Sequence, residues 1–149
     1  AIAFTDTAHD VFGKVNEAAV TVLRRAWPRL VDGTAGSIPM DLAAGSYFGG
    51  RKPEDGRIDW HKSAVEIYNL IRGVTHPYPG AFAELNGKKV IIWSAWPVEG
   101  SGEPGQVVSQ NPLCIGTGNG LLELRRVQFD GKLETEATAC SLNESDRFS

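Results

Sequence analysis

Three glycine dipeptides constrain the second half of this chain more than any other feature. Asn86-Gly87, Asn119-Gly120 and Asp130-Gly131 each separate short runs with strand-like alternation. Such pairs readily take positive φ at both central positions, as a two-residue hairpin requires. Pro104-Gly105 marks a further strand over residues 106–109. Five or six short strands joined by tight turns, from Ala81 onward, predict a small closed or partly closed antiparallel barrel. The polar residues 143–149 are expected to fray.

The first half reads differently. Residues 1–4 are apolar and predict a strand. Thr7 with Asp10 three residues on resembles a capping box, and Val11, Val15, Ala19, Val22, Leu23 and Ala26 then recur at the helical period. The pattern predicts a packing helix from Thr7 to Val31, stopped by Gly33, with Pro28 loosening its last turn. Residues 34–60 lose the period; they read as an irregular linker with a short strand at Ser46-Tyr47-Phe48. A Ser63-x-x-Glu66 capping box then opens a second helix. Ala64, Ile67, Tyr68 and Ile71 form its buried stripe, and Gly73 is its predicted end. The segment His76-Pro77-Tyr78-Pro79-Gly80 follows as a stiff turn.

The layout is therefore α+β. Residues 1–45 form an α/β remnant, 46–62 a linker, and 63–149 a helix plus an OB-like barrel. At 149 residues and 42% hydrophobic, the chain can bury an ordinary core. No apolar run approaches the roughly 20 residues of a membrane helix, and a cytoplasmic setting is the default. A formal net charge of −3 weakens a dominant nucleic-acid surface. Cys114 and Cys140 lie outside any C-x-x-C motif and read as small core residues.

Catalytic motifs are absent. His9, His61 and His76 form no metal-ligand pair, and there is no G-x-S-x-G elbow. Gly116-Thr117-Gly118-Asn119-Gly120 lacks the following helix that a phosphate loop needs, so it reads as a hairpin turn. Arg51 stands in a mixed-charge loop and could offer its planar fork to a phosphate or carboxylate. Tyr47, His76 and Tyr78 are candidates for the wall of a cleft.

Two blocks carry a family resemblance. R-x-P-E-D-G-x-I-D-W at Arg51 to Trp60, and R-x-x-T-H-P-Y-P-G-A-F at Arg72 to Phe82, resemble the interdomain segment of 10-formyltetrahydrofolate-dependent formyltransferases. These include methionyl-tRNA formyltransferase and the UDP-aminoarabinose formyltransferases. The Val-Ile-Ile-Trp-Ser-Ala phrase is similar to the opening strands of that family's C-terminal domain. The resemblance implies transfer of a formyl group to a primary amine, carried by an amino sugar nucleotide or a tRNA. It also implies that residues 1–45 end a Rossmann-like catalytic domain. The catalytic set of the family, an Asn, a His in an H-P-S-L-L-P-like segment and an Asp, has no match here. Catalysis and 10-formyltetrahydrofolate binding are thus expected in a domain preceding Ala1, with no catalytic residue and no cofactor in this chain. Arg51, Tyr47, His76 and Tyr78 are the expected acceptor-side contacts. The competing expectations are a stand-alone RNA- or nucleotide-binding module, with Lys88, Lys89, Arg125 and Arg126 as its basic groups, and a structural scaffold.

Overall fold

Thr7 accepts a hydrogen bond from the Asp10 amide while the Asp10 carboxylate accepts one from the Thr7 amide, and this reciprocal cap starts the first helix. The computed structural model describes residues 1–143 and 145–149. Helix α1 runs over Ala8–Val31 and carries Pro28 inside its last turn. None of its residues is buried, which corrects the expected packing stripe: Val15, Val22 and Leu23 are each more than half exposed. The reason is positional. Only the start of α1 meets the rest of the molecule, where the Asp6 carbonyl accepts a hydrogen bond from Arg72 at 2.7 Å. Beyond that start, the last turn meets only the segment just after the helix, where Ala35 donates to the Arg29 carbonyl and Arg29 to the Thr34 carbonyl.

Residues 1–4 form no strand. The Asp6 carboxylate accepts from the Ala3 amide and the Asp6 amide donates to the Ala3 carbonyl, folding the segment into a turn. Phe4 then seats its ring on Tyr68 and Trp96. The predicted strand at Ser46-Tyr47-Phe48 is also absent, since none of the described residues pairs with it and Tyr47 is 93% exposed.

Helix α2 spans Ala64–Val74 behind the Ser63 cap, with Ala64, Ile67, Tyr68, Ile71 and Val74 buried. Gly73 does not end it; the helix runs to Val74 and stops where Thr75 becomes extended. Six strands follow: β1 Ala81–Leu85, β2 Lys88–Val98, β3 Val107–Gln110, β4 Leu113–Gly116, β5 Leu121–Phe129 and β6 Thr135–Glu136. They form one antiparallel sheet in the order β1-β2-β5-β4-β3, with β6 on β5. The long pair β2 and β5 is its spine, irregular around Ser94. Both Asn86 and Gly87 take positive φ, whereas at the other two turns only Gly120 and Gly131 do.

The core lies between α2 and the sheet, built from Ile67 and Ile71 with Val90, Ile92, Leu122 and Leu124. Cys114 is buried in β4, while Cys140 sits half-buried after a short 3-10 turn, outside any strand.

The expected fraying is corrected over 146–149, while Glu144 lies outside the described residues. Ser149 exchanges both backbone hydrogen bonds with Glu84 on β1, while Phe148 donates to Gly105 and Val107 donates to Asp146. The tail thus bridges the β1 side of the sheet to the β3 side, and Phe148 is buried against Trp60. Burying this aromatic ring repays the order that holding the segment in place demands.

Candidate functional site

The linker block docks onto the sheet through backbone groups. Ile58 donates to the Phe82 carbonyl at 2.8 Å, and Gly118 donates to the carbonyls of Trp60 and Lys62. Ile58 and Trp60 are buried beneath this contact. Ahead of it, Pro53–Gly56 makes a 3-10 turn whose Asp55 carboxylate accepts from the Lys52 amide at 2.7 Å. That turn presents Arg51 and Lys52 at its leading edge.

The turn after α2 is held just as firmly. The Thr75 hydroxyl donates to the Trp93 carbonyl at 2.8 Å, and Gly80 donates to the Val74 carbonyl. Gly80 has φ of 85°, and a Cβ there would stand 2.4 Å from Ile91 and 2.9 Å from Trp93. Gly56 lies against Gly80, where a Cβ would be 2.8 Å from the Gly80 carbonyl. Two glycines therefore let the linker and the proline turn approach backbone to backbone.

Between them opens a cleft of about 580 Å³, lined by Arg51, Lys52, Pro53 and Gly56 on one side and Gly73, Val74, Tyr78, Pro79 and Gly80 on the other, with Ala8 of α1 at its margin. Its walls are mostly apolar. Arg51 makes no hydrogen bond or ion pair with the described residues, so its guanidinium is available to an anion.

Of the four expected contacts, the structure brings Arg51 and Tyr78 together on this cleft. His76 is elsewhere. Its ring stacks on Trp93 with centroids 3.7 Å apart, and its Nε2 lies 3.0 Å from Glu134. Glu134 also binds Arg126 at 2.5 Å. Partial burial pushes the Glu134 carboxyl up, but the Arg126 and His76 hydrogen bonds outweigh it and hold the group below its ordinary range. His76 fastens the turn that Tyr78 rides on; it does not face the cleft. Tyr47 lies outside the cleft lining and is almost wholly exposed. Lys52 and the Gly56–Gly80 approach went unread in the sequence. Lys52 had a signal, its place beside Arg51, whereas a glycine–glycine contact across 24 positions has none in a single sequence.

The comparisons with known proteins agree with this architecture. The formyl transferase, C-terminal domain family matches residues 51–142. A variant structure of HypX from Aquifex aeolicus superimposes with a TM-score of 0.68 at 21% identity, covering 91% of this chain and 25% of that one. HypX in complex with tetrahydrofolic acid gives a TM-score of 0.67 at 21% identity, with the same coverage. The chain thus spans about a quarter of the length of the HypX structures it matches. With the matched segment holding the linker block, α2 and all six strands, this chain belongs to the formyl transferase C-terminal domain family.

Proposed function

We propose that this chain is the acceptor-side portion of an enzyme that moves a formyl group from 10-formyltetrahydrofolate to a primary amine on an amino sugar nucleotide or a methionyl-tRNA. Residues 1–45 then belong to the catalytic unit that carries the reacting groups, and residues 46–62 join it to the barrel. Bound folate would supply the activated formyl carbon. The Arg51 cleft does not fit that donor: it offers no carboxylate to the amino-pyrimidinone edge, so no step is routed through folate here. What the cleft can do is grip. Arg51 binds the acceptor's anionic part, Tyr78 and Pro79 wall its apolar surface, and the amine is held in orientation, where most of the rate gain of a two-substrate transfer arises.

The observation that supports this reading is an uncommitted arginine on a preformed cleft inside the segment matched by the family. In the enzyme containing this chain, Arg51→Ala should raise the acceptor KM about tenfold or more, the loss of a charge-assisted contact, and leave the folate KM unchanged. Equal effects on both would reject the role. The RNA-module alternative is less favoured by the basic side chains. Arg126 pairs with Glu134 and Glu136, and Lys89 lies over the Phe82 ring. This chain should show no salt-dependent retention on single-stranded RNA, and strong retention at low salt would revive that alternative.

A further inference from the structure

A second cavity shares no lining residue with the Arg51 cleft. It measures about 220 Å³ and lies between the N-terminal turn, α2 and the β2–β5 spine. Two guanidinium groups reach it from different elements, Arg72 from α2 and Arg125 from β5. Each is positioned by an aromatic face, Arg72 over Tyr68 at 5.8 Å and Arg125 over Trp96 at 5.3 Å. Arg72 spends Nε on Asn69 and Nη1 on the Asp6 carbonyl, and Arg125 spends Nε on Glu123. Both terminal nitrogens of Arg125 and Nη2 of Arg72 stay open toward the described residues.

The local charges do not cancel. Lys14 answers the Asp6 carboxylate and Arg125 answers Glu123. Arg72 has no ion pair among the described residues and feels the Asp6 carboxylate only at longer range, a charge Lys14 already pairs, so the three groups together stay net positive, and no carboxylate lines the cavity. The strand irregularity at Ser94 contributes as well. Trp93, Ser94, Ala95 and Trp96 line this cavity in succession at the point where the β2–β5 register is irregular, and irregularities of this kind occur beside sites.

We propose that this cavity is an anion-binding site for a tetrahedral oxyanion, such as the phosphate of a phosphate monoester. Guanidinium donors from two elements, with Ser94 also in the lining, suit oxygens spread in three dimensions better than a planar carboxylate. The site is independent of the formyl-acceptor reading.

The test is a titration of this chain with inorganic phosphate, followed by backbone-amide and indole NMR shifts, against acetate and chloride at matched ionic strength. Saturable shifts confined to Arg72, Thr75, the 93–96 segment and Arg125, seen with phosphate alone, are expected. Unsaturable shifts, or equal shifts with acetate or chloride, would overturn the proposal. Arg72 also ties down the N-terminal turn, so the informative variants are Arg125→Gln, at a half-exposed side chain, and Ser94→Ala. Arg125→Gln should weaken phosphate about tenfold, and Ser94→Ala by a smaller factor, with unchanged Tm. Unaltered phosphate affinity in both would equally overturn it.

Discussion

Gly80 shows how much of the site depends on single atoms. Its φ of 85° is a conformation L side chains seldom adopt, and the space above it is filled by Ile91 and Trp93. Gly80→Ala should therefore destabilise the protein by about 3 kcal/mol, from strain and overpacking together, read as a lower urea midpoint at unchanged m. A neutral result would mean that the turn can move away from β2. His76 teaches the opposite lesson. In the sequence it is a histidine in a proline turn, which looks available for a ligand. Stacking on Trp93 and pairing with Glu134 consume both its face and its edge. Those partners lie 17 and 58 positions away, beyond the reach of local pattern. The exposure of Arg51 was legible because an arginine surrounded by turn residues has few ways to be buried.

The elements divide by where their information resides. Helix α2 was readable almost to the residue, since its cap, its apolar stripe and its burial all agree. Ser63→Ala should cost about 1 kcal/mol of stability, measured by thermal unfolding. Helix α1 has an equally clear cap and period, yet its apolar face stays in solvent. Periodicity states that a face is apolar and is silent about what covers it. Strand positions were legible from the turn dipeptides, whereas the irregularity at Ser94 depends on the cross-strand register of β2 with β5.

The link from the α2–β1 turn to the β5–β6 loop gives a pH dependence at this same scale. Glu134 titrates in the folded protein below its ordinary value of 4.5. Its contribution is therefore complete above that value and is lost as pH falls through the lower, folded one. Asp6, Asp10 and Glu66 are displaced the same way by their own hydrogen bonds. Unfolding midpoints should drop between about pH 5 and pH 3, and Glu134→Gln should flatten part of that fall. A variant with the wild-type slope would show that the Arg126–Glu134–His76 link contributes nothing.

Across the whole molecule, two halves behave differently. The linker block, α2 and the sheet share one core, while α1 and residues 34–50 display Trp27, Leu30, Ile38, Met40, Tyr47 and Phe48 to solvent. Phe148 belongs to the first half despite its position, and Phe148→Ala should cost about 3–5 kcal/mol, checked by urea denaturation. Its polar surroundings in the sequence hid that role. A lone aromatic among Asn, Asp, Arg and Ser carries no period, and only the sheet's edges reveal the slot it fills. There is a practical corollary for handling this protein. Ser149 is locked to Glu84 through both of its backbone groups, so any purification handle fused directly after it starts inside a hydrogen-bonded ladder. A flexible spacer at that junction keeps the seam intact.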